Sequence, residues 1–405
     1  MTRLMSSSTP TSTSTPASTS TPAPTSAVRR PGRPRVLNVV QRFFPEIGGT
    51  ETVVGEVASR LAQRGEFDVT VLATDRSGRL AKHESMHGYE VIRRRSWPRE
   101  KDYYFSPGII AAIARGHWDL VHVQGVHTLV PPLAMLAARA SGTPYVLTFH
   151  SGGHSSPLRS GIRGAQWKVL TPLLRGADQL IAVSRFERTH FSEATGIDAS
   201  RFTVIGNGGA LPQTPAAVIP QVGRIVSSGR LEHYKGHHRA IEALPLIREQ
   251  IPGADLLILG SGDYEPQLRT LARELHVEDA VQIRHLPPTD RAAMAHELGT
   301  ASVMAALSTY EAHPVGIMEA VTLGLPVVGL DVAGTGDLVE DHLVTGLPVD
   351  ASTQTVAQAL TTALLATAAK GTPHQPLDIP LPTWETTTDG VEAVYRDVLA
   401  RRARR

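Results

Sequence analysis

Two glutamates eight residues apart, Glu311 and Glu319, have the spacing of a pair that binds one ligand. Glu311 precedes a helical pattern and Glu319 falls about one and a half turns into it, so their carboxylates can reach different parts of that ligand. A carboxylate is a good acceptor for paired sugar hydroxyls. With an anion held between them, the pair indicates a diphosphate with a sugar on either side. The alternative is an ordinary helix whose glutamates are solvated.

The start of the same helix predicts the anion site. Pro314 suits the first helical position, because its missing N–H and fixed φ are compatible with a helix start. The next amides, those of Val315, Gly316 and Ile317, are then expected to be free. Together with the positive end of the helix dipole they favour a phosphate, and Gly316 lets a ligand approach the backbone closely.

A second cluster, GRLEHYKG at residues 229–236, follows the first predicted strand of the C-terminal half. Arg230 offers a planar fork for phosphate and Lys235 a compact point charge, so both are expected to meet the same anion. Only five of the 40 basic residues are lysines, which makes Lys235 stand out. The alternative is a basic loop at the edge of a sheet.

Two features of the N-terminal half complete the candidate site. Gly48 and Gly49 open the first predicted helix, where their amides are placed to face the diphosphate across a cleft. His150 ends the strand pattern YVLTFH, a position from which an imidazole can donate a hydrogen bond or move a proton. His154 is a weaker candidate nearby. A lone histidine is otherwise more often structural.

Composition and missing motifs exclude several other chemistries. Cysteine is absent, which removes disulfides, thiolate catalysis and cysteine-ligated metals. No Asp-x-Asp occurs and no acidic or histidine set has convincing metal spacing, so neither a metal nor a cofactor is expected. The first turn lacks G-x-G-x-x-G and the chain lacks G-x-x-x-x-G-K-[ST], which argues against dinucleotide and P-loop sites. Arg230, Lys235 and helix-start amides are then left to neutralise the diphosphate.

The elements that position these residues follow from short β-branched runs that alternate with helical patterns. The alternation stops at residues 209–221, GALPQTPAAVIPQ, which have three prolines and no period and therefore predict a hinge. It restarts with a strand at 224–228. The sequence thus predicts an α/β fold of two doubly wound, Rossmann-like domains that face a central cleft, where such folds bind ligands.

The domain boundaries follow from the same pattern and from composition. Of the 21 residues from Ser6 to Ser26, 19 are Ser, Thr or Pro, a composition that predicts a disordered tail. The predicted tail covers residues 1–34, and an N-terminal acceptor-binding domain covers 35–208. The hinge at 209–221 leads to a C-terminal donor-binding domain at 222–383 and a final helix at 384–405.

Charge and hydropathy limit the partners. Forty basic against 38 acidic residues give a net charge of +2, without the basic excess typical of nucleic-acid binding. No apolar run approaches the ~20 residues of a membrane-spanning helix, and no secretory signal is evident, so a cytoplasmic location is expected. Two basic stretches with a tryptophan, residues 93–97 and 158–175, are candidates for peripheral contact with the inner membrane face. The alternative is that they are exposed edges around a soluble acceptor site.

The chain after the tail resembles the retaining glycosyltransferases of family 4, also called glycosyl transferases group 1, which have the GT-B fold. The resemblance rests on YEAHPVGIMEAVTLGLPVV, supported by GRLEHYKG, TFHS and VIGNG. It implies that Glu311 and the amides after it, including those of Val315 and Gly316, hold the donor sugar, and that Glu319 binds the nucleotide ribose.

The resemblance also implies roles for the remaining candidates. Arg230 and Lys235 would bind the donor diphosphate, with the Gly48-Gly49 pair at its other face. His150 would contact the donor sugar at the reacting centre. The final helix would cross back to pack on the N-terminal domain.

The chain departs from the family pattern at three places. Asp337 stands where Glu is common, and His313-Pro314 replaces a frequent Phe-Gly. An acidic residue often follows Asn-Gly shortly in the family, whereas here residues 207–210 read NGGA. The replacement of Phe-Gly by His313-Pro314 leaves the identity of the donor sugar open.

The implied reaction moves a sugar from a nucleoside diphosphate sugar to a hydroxyl of a small-molecule, glycan or lipid-linked acceptor. The resemblance implies retention at the anomeric carbon and no metal, with a UDP-sugar as the first choice of donor and a GDP-sugar as the second. Two alternatives stay open: another GT-B enzyme, such as a nucleotide-sugar epimerase or a phosphorylase, and a non-catalytic auxiliary protein that binds sugars.

Overall fold

The structure is a computed structural model that describes residues 32–46, 48–99, 104–151, 167–209, 218–287 and 290–404. His154, residues 210–217 of the predicted hinge, residues 158–166 and nearly all of the predicted tail lie outside the described residues. The described chain forms two α/β units, each built on one largely parallel sheet.

The first unit contains an eight-stranded sheet in the order β3-β4-β2-β1-β5-β6-β7-β8. Its strands are β1 (Arg35–Val39), β2 (Asp68–Asp75), β3 (His83–Met86), β4 (Tyr89–Arg95), β5 (Leu120–Gln124), β6 (Tyr145–Thr148), β7 (Gln179–Ala182) and β8 (Phe202–Val204). Among the strand pairs of this sheet that the structure describes, only β3 and β4 are antiparallel. The helices are α1 (Gly49–Arg64), α2 (Pro107–Arg115), α3 (Val130–Ala140), α4, whose described part is 167–175, and α5 (Arg185–Thr195).

The second unit contains a six-stranded parallel sheet in the order β11-β10-β9-β12-β13-β14. Its strands are β9 (Arg224–Ser228), β10 (Asp255–Leu259), β11 (Val281–Arg284), β12 (Val303–Ala306), β13 (Val327–Leu330) and β14 (Thr345–Leu347). Its helices are α6 (His237–Gln250), α7 (Glu265–Glu274), α8 (Arg291–Thr300), α9 (Val315–Thr322), α10 (Ala333–Glu340) and α11 (Thr353–Lys370). The predicted α/β fold with two doubly wound domains is confirmed.

Both sheets are buried on both faces, which explains why their central strands read as nearly continuous apolar runs. In β1, Leu37 and Val39 point into one core cluster while Val36 points into the cluster on the opposite face. In β10 the same alternation sends Leu256 and Leu257 to opposite faces. Burying each such side chain contributes roughly 1.5–3 kcal/mol, so the two sheets hold their loops on rigid supports.

The last helix, α12 (Trp384–Ala403), packs on the first domain although it follows the second in the chain. A capping box between Thr383 and Thr386 fixes where it begins. Its apolar face completes the core beneath α1 with Val391, Val394, Tyr395 and Val398. Arg64 on α1 makes ion pairs of 2.8, 2.7 and 2.6 Å with Glu385, Asp389 and Glu392 of this helix.

In each of the two stretches considered for membrane contact, one side chain that the sequence suggests is exposed is in fact buried; residues 158–166 of the second stretch lie outside the described residues. Arg93 is only 5% exposed, because its guanidinium contacts the Glu84 carboxylate at 2.7 Å inside the β3 and β4 pair. Trp167 is 8% exposed and packs edge-on against the Phe191 ring. Trp97 is 46% exposed. Across the part of the chain that the structure describes, none of the helices combines the length and apolar composition needed to cross a bilayer.

Candidate active site in the interdomain cleft

A cavity of about 780 Å³ lies between the two domains, where the carboxyl ends of β9 and β12 face the start of α1. The first domain contributes α1 residues, among them Gly49 and Glu56. The second domain contributes the loops after β9 and β12 and the start of α9. From the sequence-predicted set, the cavity lining includes Gly49, Lys235, Glu311, Val315, Gly316 and Glu319. Its size suits a nucleotide-sized ligand.

The centre of the cavity wall is an ion pair between Lys235 and Glu311. Lys235 Nζ donates to Glu311 Oε1 at 2.6 Å, and the side chains are 16% and 20% exposed. The loop after β9 reaches this position because Gly236 adopts φ 72° and packs against the backbone of Leu307, where a Cβ would lie 1.9 Å from the carbonyl oxygen. The close packing of the two loops brings together Lys235, which was predicted to bind phosphate, and Glu311, which was predicted to bind the sugar.

The start of α9 differs in detail from the sequence expectation. Pro314 precedes the helix instead of occupying its first position. The Val315 amide donates to His313 O and the Ile317 amide to Pro314 O, both at 3.0 Å, because the chain turns tightly there. The expectation of three free amides is therefore wrong. Among the described residues, Gly316 N has no hydrogen-bond partner, and a Cβ at Gly316 would meet no atom within 4 Å.

Glu319 lines the same cavity, where it is paired with an arginine that was not predicted from the sequence. Arg291, the first residue of α8, donates to Glu319 Oε1, and the Glu319 side chain is 10% exposed. Nothing in the sequence separates Arg291 from the other arginines of the chain. The packing of α8 beside α9 means that any ligand hydroxyl that binds Glu319 has to share the carboxylate with this guanidinium or displace it.

The structure does not bring Arg230 and Gly48 into the cavity lining. The Arg230 side chain is 66% exposed, and its guanidinium contacts the Glu232 carboxylate and donates to the Tyr234 hydroxyl at 2.8 Å. These two partners hold it outward, so it must rotate to reach a diphosphate. Gly48 caps α1 behind the cavity, where a Cβ would lie 2.4 Å from Glu51 Oε2.

His150 lies in a smaller adjoining pocket, which shares Val53 and Asn207 with the main cavity. It follows β6 with φ 46°, a left-handed conformation that is strained for a residue other than glycine. Its Nε2 contacts Gln124 Oε1 at 2.8 Å. Burial, with smaller contributions from His313 and His127, lowers the pKa of His150 to about 3. The imidazole is therefore neutral near pH 7 and can act there as a hydrogen-bonding group.

A buried polar network behind His150 was not predicted from the sequence. Gln124 Nε2 donates to Asn38 Oδ1 at 3.2 Å, and the Tyr395 hydroxyl donates to the same oxygen at 3.3 Å. The His122 ring also contacts that hydroxyl at 2.7 Å. These side chains lie on β1, β5 and α12, so the last helix supports the strand end that carries His150.

Comparison with known proteins places this geometry in a family. Residues 47–209 match the family described as Glycosyltransferase Family 4, and residues 220–370 match the family described as Glycosyl transferases group 1. A glycogen synthase of Mycobacterium tuberculosis is 30% identical over 338 residues, with 75% of this chain and 80% of the relative covered. The chain belongs to glycosyltransferase family 4. The family membership that the sequence motifs predicted is thus confirmed.

Further relatives agree with this assignment. A GDP-mannose:cellobiosyl-diphosphopolyprenol alpha-mannosyltransferase of Xanthomonas oryzae is 29% identical, with 72% of this chain and 77% of the relative covered. Sucrose-phosphate synthase of Thermosynechococcus elongatus has a similar structure, with a TM-score of 0.68, 20% identity, and 92% and 98% of the two chains covered. The structure of Anabaena HepE in complex with UDP and glucose is also similar, with a TM-score of 0.66 and 19% identity, and with 90% of this chain and 100% of that chain covered. The two-domain fold of this family 4 glycosyltransferase is therefore GT-B.

A pH-dependent stability is expected of this family 4 glycosyltransferase. The His150 pKa of about 3 lies below its ordinary value of 6.5, so the unfolded state binds a proton between these pH values and the folded state does not. Stability is then complete above pH 6.5 and is lost as the pH falls, by roughly 1.4 kcal/mol per pH unit. We expect the unfolding free energy of His150→Gln relative to wild type to rise by about 2 kcal/mol between pH 7 and pH 5.

Urea denaturation at the two pH values measures this difference. His285→Gln, at an exposed position of the second domain, is the matched control. Its unfolding free energy is expected to differ from that of wild type by the same amount at both pH values. If the unfolding free energy of His150→Gln also differed from wild type by the same amount at both pH values, the burial of a neutral His150 would be contradicted.

Proposed function

We propose that the protein is a retaining glycosyltransferase that moves a sugar from a nucleoside diphosphate sugar to an acceptor hydroxyl without a metal ion. The observation that carries the proposal is one interdomain cavity lined by the Lys235 and Glu311 ion pair, the open Gly316 backbone and Glu319. A cation, a helix start and two carboxylates within one cavity match the chemistry of a diphosphate flanked by two sugars.

The positions of charged groups and of hydroxyl acceptors support one arrangement of the donor. Its diphosphate would lie against Lys235 Nζ and the Gly316 amide, with Arg230 joining after it leaves Glu232. The sugar would then lie at Glu311, the ribose at Glu319, and the Gly49 end of α1 would face the diphosphate from the first domain. Charge-assisted hydrogen bonds contribute roughly 1.5–3 kcal/mol each, so three or four can stabilise the leaving group substantially.

The proposed step balances within the donor and the acceptor. The bond between the anomeric carbon and the diphosphate oxygen breaks with its electron pair on the diphosphate. The acceptor oxygen forms the new bond on the same face of the sugar, and its proton passes to the departing phosphate. Lys235 stabilises the charge that develops on the phosphate, and neutral His150 orients the sugar by a hydrogen bond.

No group of three or more histidine or acidic side chains that could hold a metal ion occurs within the described ranges. Metal independence is a proposal that rests on the cationic and amide groups described above. The acceptor stays within the classes proposed from the sequence, namely a small molecule, a glycan or a lipid-linked sugar, met in the cytoplasm or at the inner membrane face. A lipid-linked acceptor is supported by the name of the Xanthomonas oryzae relative.

Thermal-shift measurements with UDP-, GDP- and ADP-sugars in EDTA test the donor class. A ligand at a hundred times its Kd stabilises a protein by about 2.7 kcal/mol, which shifts the melting temperature by several degrees. We expect one nucleotide to give this shift, with UDP as the first choice and GDP as the second. The relatives support both, since one is named for GDP-mannose and HepE was solved with UDP.

The outcomes of this screen separate the parts of the proposal. No shift with any of the three donors would overturn the donor class, and a shift that requires added magnesium or manganese would overturn metal independence. Release of free nucleoside diphosphate in equal amount to glycosylated product distinguishes transfer from epimerisation, phosphorolysis or binding alone.

A further inference from the structure

Two sets of hydrogen bonds join the domains beside the cavity, away from the ligand-binding side chains. The Tyr310 hydroxyl donates to Ser151 Oγ at 2.7 Å. The Asp337 carboxylate accepts from the backbone amides of Arg185 at 2.7 Å and Phe186 at 3.2 Å. Ser151, Arg185 and Phe186 belong to the first domain, whereas Tyr310 and Asp337 belong to the second.

The first contact links the chain neighbours of the two candidate catalytic residues. Ser151 directly follows His150, and Tyr310 directly precedes Glu311. A hydrogen bond between Ser151 and Tyr310 therefore fixes how far apart the strand end after β6 and the loop after β12 lie. Small changes at such positions are costly, since a misplacement of about 1 Å can lower a rate roughly a hundredfold.

The first-domain end of this contact is anchored by Glu187, whose side chain is fully buried. Its Oε1 accepts from the Ser151 amide at 2.6 Å and from the Ser151 hydroxyl, and its Oε2 accepts from the Val183 amide at 3.0 Å. A buried carboxylate requires such donors. Because the Ser151 hydroxyl proton is committed to Glu187, its oxygen is available to accept from Tyr310.

The second-domain end is anchored by α10. The Gly334 amide, in the first turn of this helix, donates to Glu311 O at 2.6 Å. A Cβ at Gly334 would lie 2.3 Å from Ala312 O, so only glycine allows this approach. Three residues later, Asp337 meets the first amides of α5, where unpaired N–H groups and the helix dipole favour a carboxylate. One helix thus connects the backbone of Glu311 to the first domain.

We propose that Tyr310 and Asp337 are positioning residues that hold His150 and Glu311 at a fixed distance and orientation across the cleft. This inference rests on the proposed function of those two residues. We call Ser151, Glu187, Tyr310 and Asp337 the interdomain clamp. The clamp residues do not line the nucleotide cavity, so loss of a clamp contact is expected to slow the chemical step while nucleotide affinity is kept.

Tyr310→Phe tests the direct contact, because it removes the hydroxyl and keeps the ring that packs edge-on against Phe186. We expect kcat to fall roughly tenfold while the Kd of whichever of UDP or GDP binds wild type changes less than twofold. Tyr264→Phe is the matched control, since that ring packs edge-on against His233 and His238 within the second domain, and this variant is expected to leave both values unchanged. An unchanged kcat in Tyr310→Phe, or a parallel loss of nucleotide affinity, would overturn the proposal.

A distance measurement tests the clamp without relying on activity. The chain has no cysteine, so Ala140→Cys on α3 and Ala366→Cys on α11, both exposed, provide unique sites for spin labels in the two domains. We expect the interdomain distance distribution to broaden when Tyr310→Phe and Asp337→Ala are added to this labelled protein. An unchanged distribution would overturn the clamp even if the protein transfers sugar. A broader one would support it even if UDP and GDP fail to bind, in which case only the proposed function is lost.

Discussion

Replacement of Lys235 by alanine is expected to lower sugar transfer at least about a hundredfold while the protein stays folded. A hundredfold loss corresponds to about 2.7 kcal/mol of transition-state stabilisation, within the range for one preorganised charged group at a developing anion. Lys235 is proposed to be such a group, because its ammonium lies in the cavity wall and its side chain is only 16% exposed. Initial rates at saturating donor and acceptor, with circular dichroism as the check on folding, measure the effect.

The matched control is Lys370→Ala, which removes an exposed lysine at the end of α11 in the same domain. This variant is expected to retain the wild-type rate. If Lys235→Ala turned over nearly as fast as wild type, the assignment of the diphosphate site to the loop after β9 would be wrong.

Glu311→Ala is expected to cause a loss of similar size for a different reason. Its carboxylate is proposed to accept hydroxyl hydrogen bonds from the donor sugar, and such bonds to a charged group contribute roughly 1.5–3 kcal/mol each. The variant also leaves Lys235 without its partner at 2.6 Å, so the ammonium is free to move from the position proposed for phosphate binding. We expect transfer to fall at least about a hundredfold, measured at saturating donor.

Two further variants make the Glu311 result specific. Glu311→Gln keeps the shape but not the charge, and it is expected to recover part of the lost rate because the amide oxygen still accepts a hydrogen bond. Glu274→Ala, at an exposed position of α7, is the control for loss of a glutamate from the same domain. A Glu311→Ala enzyme with near-normal turnover would remove Glu311 from the site.

The fold was predictable because burial on both faces of a parallel sheet leaves a strong local signal. Strand β9 lies at residues 224–228, where the apolar, β-branched run predicts it. Strand β3 was missed, since HESM is mostly exposed and polar and has no apolar alternation, although it pairs with β4 through its backbone and through the Glu84 and Arg93 ion pair. Strand β14 was missed for a related reason: the three residues TGL carry no periodic pattern.

The candidate site was predictable only where function depends on residues close together in the chain. The motif from Glu311 to Glu319 could be interpreted from its own spacing, and both side chains line the cavity. The Arg291 partner of Glu319 and the outward orientation of Arg230 depend on contacts between elements, which no local pattern records. The role of Asn38 beneath His150 was equally hidden, because the contact joins it to Tyr395, 357 residues later.

The return of α12 to the first domain has a consequence for how the protein is made. Val391, Tyr395 and Val398 fill part of the interior under α1, whose other walls come from residues between Val36 and Ile205, all synthesised long before α12. A nascent chain that has been synthesised only as far as the second domain still exposes this apolar strip under α1 to solvent. Completion of the first domain must therefore wait for translation to reach α12, and during that interval the strip is a natural binding surface for a chaperone.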